Sequence, residues 1–298
     1  MQATVHRISA AFAVAALGVA LSACATTRPQ AEPSEHPPPV VTTTVPVMVL
    51  DDGDGAEACL GGVAYSLPPQ CGGPKLTEWD WQSWVGSFEE ANGVRWGSFV
   101  ITGHYDIDAG TIAPTDVVRA EDATQPTSPP EVDLRTPCRE PEGGWRVVDE
   151  SLTTASSMDA VIQRAMALDG YSLVWLDQSP NPSADDPEPD ESTMNDPMLT
   201  IINVTLVGDV GAAERDLREV WGGMLCVTEA ERTDAEYQSV SAEIFSGEWP
   251  QVLGGGRMGV EEAIEVLVVF DDGTLQREFD ERFGDGVVRV ESALTSVA

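Results

Sequence analysis

Apolar and polar positions change period several times along this 298-residue chain, and each change marks a different kind of segment. Residues 8–19 are almost continuously apolar. From 25 to about 57 neither a helical nor a strand period holds. Between 93 and 118, β-formers such as Trp96, Phe99, Val100, Ile101 and Tyr105 alternate with Gly-bounded turns, which predicts a small β-rich module. From 156 onward helical and strand patterns take turns. Ser156 and Asp159 match a capping box and open a helix to about 168, followed by a strand at 171–176. After an acidic, Pro-rich loop at 179–196 come a strand at 199–207, a helix through Trp221 and a strand at 224–227. A helix opened by Thr233 and Glu236, a strand at 263–270, a helix at 274–283 and a strand at 287–290 complete the series. Strand, helix, strand in this order implies βαβ units with partly parallel pairing.

One stretch of this pattern occurs twice. Residues 203–211 align at an offset of about 62 residues with 265–273, and the match continues through Arg215/Arg277, Glu219/Glu281, Trp221/Phe283 and Gly222/Gly284. A strand, an Asp-x-Gly turn, an amphipathic helix and a closing Gly recur in the same order. The predicted class is therefore α+β or α/β: a β-rich module at 58–135, then an α/β module at 136–298 that contains a duplicated βαβ unit. The Asp of each copy suits a helix N-terminus and the Gly a turn or tight cap.

The apolar segment gains a meaning from its flanks. His6 and Arg7 precede it and Leu21-Ser22-Ala23-Cys24 ends it, which reads as a lipoprotein signal peptide over 1–23. It is too short to span a bilayer. Cleavage would leave Cys24 to carry a thioether diacylglycerol and an amine-linked acyl chain such as palmitate, two signals that anchor a protein stably on the outer face of the cell membrane. Residues 24–57, with Pro29, Pro33, Pro37, Pro38, Pro39 and Pro46, read as a tether; if polyproline-like it would reach roughly 100 Å. Residues 119–144 read as a link between the modules.

Charge narrows the partners. The chain holds 16 basic and 50 acidic residues, a net −34, and loss of Arg7 with the signal makes it −35. Phosphate binding needs clustered Lys and Arg, so composition argues against nucleic acid. Such a surface suits solubility outside the cell, the favoured reading, and would attract cations or a basic envelope protein. Four cysteines besides Cys24 imply two disulfides in an exported chain. Three pairings are possible; Pro68 and Pro69 turn the chain between Cys59 and Cys71, which favours joining those two, with Cys138 then left to Cys226. No C-x-x-C spacing and no neighbouring His supports zinc.

Few residues offer familiar catalysis. Of three histidines only His104 falls in a folded region, and no G-x-S-x-G elbow accompanies it, so it reads as a surface or satisfied histidine. Gly254-Gly255-Gly256-Arg257-Met258-Gly259 fits G-x-G-x-x-G but lacks the strand before and helix after, and reads as a mobile loop. Asp51 to Gly55 and the 185–196 run lack calcium-loop spacing. Asn203-Val204-Thr205 is a sequon inside a predicted buried strand. Trp79, Trp81 and Trp84, with Trp96 nearby, have two readings: a sugar-stacking platform for wall glycan, or the core of the small β module. No cofactor and no metal ligand set is indicated, and no spacing singles out a carboxylate pair for glycoside hydrolysis.

The stretches 59–63 and 68–74, Trp96-Gly97-Ser98, Gly103-His104-Tyr105-Asp106 and 221–226 make residues 59–290 similar to a group of exported or lipid-anchored proteins of high-GC Gram-positive bacteria. That resemblance implies an envelope location and carries no activity with it. The expectation is an extracytoplasmic binding or scaffolding lipoprotein. The alternatives are a carboxylate-based hydrolase of wall glycans and an inhibitor or folding helper of an exported enzyme.

Overall fold

A β-branched run beginning at Val40 opens a sheet. The computed structural model describes residues 37–124, 132–184 and 193–297. The signal segment, Cys24, the first part of the tether and most of the 185–196 acidic run lie outside the described residues. Within 24–57, where the sequence reading places only a tether, stand β1 (Val40–Thr43) and β2 (Val47–Asp51). Their apolar positions outweigh the flanking prolines because Pro46 falls in the turn between them, where no ladder hydrogen bond is lost.

These two strands join β3 (Glu57–Cys59), β4 (Lys75–Leu76), β5 (Glu89–Ala91), β6 (Val94–Asp106) and β7 (Thr111–Arg119). The long β6 organises the sheet. Along one side it pairs with β2 and then β1, along the other with β5 and then β7, all antiparallel. Because β2, β3, β4 and β7 also pair in sequence, the pairings close into a ring. The β6–β7 register slips at Thr102/Gly103, where a Cβ on Gly103 would sit 2.4 Å from the Ala113 carbonyl, so only glycine fits the bulge. Val49, Phe99, Ile101 and Ile112 fill the ring. On the opposite face of β6, Trp96 packs with Leu50 and Cys59.

The rest of the chain is an αββαβ unit built twice. The first copy runs α1 (Ala155–Met166), β8 (Tyr171–Asp177), β9 (Ile201–Leu206), α2 (Val210–Arg218) and β10 (Met224–Glu229). The second runs α3 (Asp234–Ile244), β11 (Val252–Gly256), β12 (Ile264–Val268), α4 (Thr274–Phe283) and β13 (Val288–Ser292). In each copy the strands flanking the second helix are parallel, β9 with β10 and β12 with β13, and the remaining strand adds antiparallel. The α+β class and the duplicated βαβ unit are thus present, and the duplication is larger than the sequence echo. Each copy has its own core, around Trp221, Leu217 and Val161 in the first and Phe279, Tyr237 and Ile264 in the second. A last strand, β14 (Leu294–Ser296), returns to pair with β1, and Leu294 and Val269 enter the ring's core. The β-rich module therefore starts at β1 rather than at 58 and takes its final strand from the C-terminus.

Helix ends follow the sequence closely, with one shift. The Thr233/Glu236 capping box is complete. The first helix is capped by Thr154, whose hydroxyl accepts from the Ser157 N–H, while Ser156 lies inside it. Asp209 accepts from the Ala212 N–H; in the second copy Asp271 accepts from both Leu275 and Gln276. Gly254 to Gly256, read from sequence as a loop, form β11. A Cβ on Gly255 would meet the Glu265 carbonyl at 2.1 Å, so the glycines let the edge strand approach its neighbour.

Candidate functional site

Cys59 and Cys71 are joined, as are Cys138 and Cys226, with Cα separations of 5.6 and 5.8 Å. The first bond closes a loop of unusual surface. Its base is firm: Cys59 is buried with Trp96 and Leu50, and Gly61 packs on Leu253. Inside the loop the Ala64 N–H donates to the Gln70 carbonyl at 2.8 Å, and the Ser66 hydroxyl donates to the Pro68 carbonyl at 2.8 Å. Its tip faces outward and is apolar, with Tyr65 fully exposed and Leu67 76% exposed beside the less exposed Val63. Folding does not require those side chains outside. A cross-linked, internally hydrogen-bonded loop that holds an aromatic and a leucine in water is preorganised to bury them in something else, because little ordering entropy remains to be lost.

Gly73 and Pro74, just past the disulfide, line one wall of a groove of about 520 Å³. The opposite wall is the β6–β7 hairpin tip with Ile107, which is 59% exposed, and the floor is Leu253, Val269 and Phe270 of the second copy. Tyr105 meets Phe270 edge-on at 6.1 Å, and burial pushes the Tyr105 hydroxyl pKa up. The groove continues past Ile107, Gln251 and Phe270 into a smaller lobe of about 260 Å³ at the start of α4.

The tryptophans named from sequence are placed differently from one another. Trp79 and Trp84 stack at 5.9 Å, and both meet Phe99 edge-on, at 5.2 and 5.1 Å. Trp81 is buried, crosses Phe88 at 4.9 Å and donates its indole N–H to Asp51 at 2.9 Å. Trp81 is thus in the core, whereas Trp79 and Trp84 pack on Phe99 and stay half-buried. Trp96 lies apart, beneath the disulfide loop. His104 is exposed on β6, with Nδ1 3.4 Å from the Pro38 carbonyl oxygen. Asn203 is fully buried in β9. Asp51 and Asp52 bind their own turn through the Gly53 and Asp54 N–H groups, and no cluster of three or more metal-ligating side chains occurs among the described residues.

Among the described residues, five carboxylates have their pKa moved, all downward. Arg135 brings Asp133 to about 2. The Ser151 hydroxyl lowers Asp149, the Arg164 guanidinium lowers Asp216, the Thr233 N–H lowers Glu236, and the Thr274 hydroxyl lowers Asp272. A glycosidase acid requires a shift in the other direction.

Sequence reasoning found the disulfide and missed the exposed tip. The available signal was Val63, Tyr65 and Leu67 alternating within a short cystine loop, too short to bury them. The groove left no such signal, because its walls come from residues 73–74, 105–110 and 250–270. No protein-family model matches this chain, and comparison with curated proteins and with solved structures returned no match.

Proposed function

We propose that this chain is a lipid-anchored, extracytoplasmic binding protein that engages a protein partner through the disulfide-closed loop 59–71. The two disulfides point to an oxidising, extracytoplasmic compartment. No helix among the described residues is long and apolar enough to cross a membrane. The anchor at Cys24 rests on the Leu-Ser-Ala-Cys motif. The exposed Tyr65–Leu67 tip carries the proposal. It is convex, so its partner is an exported protein with an apolar cleft; the role is that of a scaffold or of an inhibitor that fills such a cleft. Wall glycan is less well served, since Trp79, Trp81 and Trp84 pack on Phe99 and Phe88.

The test places a photo-crosslinking aromatic at position 65 in intact cells. One discrete adduct is expected, and the purified partner should bind a Tyr65→Ser/Leu67→Ser variant roughly 100-fold more weakly, the size of loss typical of two anchor side chains. An equal pattern from a probe at Val85, itself 69% exposed, or no adduct at all, would overturn the proposal. In the same cells Cys24→Ser should move the protein from the detergent to the aqueous phase.

A further inference from the structure

The groove beside the loop is a second surface with its own chemistry, independent of the loop. We infer that it docks an extended basic segment of a partner polypeptide, with an apolar side chain in the larger lobe and a Lys or Arg in the smaller one. The larger lobe, about 520 Å³, has an apolar floor of Leu253, Val269 and Phe270 and an exposed apolar lip, Ile107. A volume of that size falls within the range of ligand-binding clefts. The smaller lobe is acidic. Asp271, Asp272 and Glu278 line it, Asp108 lines the larger lobe on the hairpin tip, and no Lys, Arg or His lines either lobe among the described residues.

Not all of this charge is free. Asp271 is committed to the Leu275 and Gln276 N–H groups, and Asp272 accepts from the Thr274 N–H at 3.0 Å. Glu278 spends one oxygen on the Trp249 indole N–H at 3.1 Å. The second Glu278 oxygen in the smaller lobe would therefore meet the incoming Lys or Arg, and Asp108 at the larger lobe adds attraction for the neighbouring cation of the segment. Charge also selects the occupant. A second copy brings the same net −34 and, in its exposed loop 59–71, no Lys or Arg, so like-charge repulsion opposes self-docking. A basic segment gains the long-range attraction and the apolar contact together.

The test measures fluorescence anisotropy of a labelled decapeptide titrated with the purified full chain. The peptide carries one Phe two residues before a Lys pair in a Gly/Ser background. Saturable binding is expected, weakening about fivefold between 50 and 500 mM salt as exposed charges are screened. Replacing Phe by Ser should weaken it about tenfold, and replacing the Lys pair by Glu should abolish it. Ile107→Ser and Asp108→Lys, both on the exposed tip, should each weaken binding about tenfold with an unchanged unfolding midpoint. Three results would overturn the inference: no binding; equal binding of the Ser peptide, which is bare charge attraction; or both variants binding like the parent. None of these touches the result at position 65, so the two surfaces stand or fall separately.

Discussion

The two αββαβ copies share a topology and use it in opposite ways. In the first, the outer parallel strand β10 is fastened to a neighbouring segment: Cys226 is bonded to Cys138, Trp145 packs on the same cluster, and the Val148 and Asp149 N–H groups donate to the Gly222 carbonyl. In the second, the outer strand β13 carries no such strap among the described residues and is capped by one side chain. The Gln276 amide donates to the Val288 carbonyl at 2.9 Å and accepts from the Val290 N–H at 2.8 Å, standing in for a neighbouring strand's peptide group. A sheet edge needs some device against unwanted pairing. The first copy uses a covalent strap. The second uses an amide on its own helix, and its Leu253, Val269 and Phe270 pack with the ring's core. The copies are also tied to each other, since Arg257, held over the Tyr237 ring of its own copy at 4.3 Å, donates to the Ser172 carbonyl of β8 in the first copy at 2.7 Å. Duplication supplied a similar unit twice, and the two copies protect their outer strands by different devices.

The largest test of this contrast is the strap. In the chain-entropy account, replacing Cys138 and Cys226 by Ala removes a bond spanning 88 residues and should cost about 4.6 kcal/mol, against about 2.8 kcal/mol for Cys59 and Cys71, which span 12. Urea unfolding of the two double variants measures both. Equal losses would mean that the strap does no more for the first copy than the loop bond does for itself. A smaller effect is expected in the second copy. Gln276→Ala leaves the Val288 carbonyl and Val290 N–H without their partner, at roughly 1–3 kcal/mol, and should raise self-association seen by light scattering. An unchanged midpoint and a monodisperse sample would show that the edge needs no cap.

The smallest effect is on acid stability, and it separates the copies by location. Asp216, held low by Arg164, ties α2 to α1 in the first copy, while Glu236 is held low by the Thr233 N–H in the second. A lowered folded pKa contributes stability above the unfolded value, near 4, and that contribution is lost as pH falls through the folded value. The unfolding midpoint should therefore fall from pH 5 toward pH 2. Asp216→Asn should flatten part of that fall, and an identical acid limb in this variant would remove Asp216 from the account. Both groups are exposed, so screening keeps the effect small.

Local signals were legible. The Thr233/Glu236 box, the α4 boundaries, the strand before each Asp-x-Gly turn and both disulfide partners follow from residues within a turn or two, or from counting cysteines. The duplication was only half visible. Its βαβ half keeps one offset, but the preceding helix and strand do not, because the β8–β9 connection at 178–200 is far longer than the β11–β12 connection at 257–263. The prolines around Val40–Thr43 and Val47–Asp51 concealed two strands that make sense only once β6 offers both of them a partner.

By itself the sequence determined the periodicities, the Thr233/Glu236 cap, the number of cystines and the charge of this protein, since each depends on residue type at short spacing or on a simple sum. Tertiary structure alone decided that β14 closes against β1 across more than 250 residues, with the Thr295 hydroxyl donating to the Thr42 carbonyl. It alone decided that Trp79, Trp81 and Trp84 surround Phe99 while Tyr65 and Leu67 stay in water. Burial is a property of what the rest of the chain leaves uncovered. Two aromatic positions with equal local patterns differ only in whether a distant strand arrives to cover them.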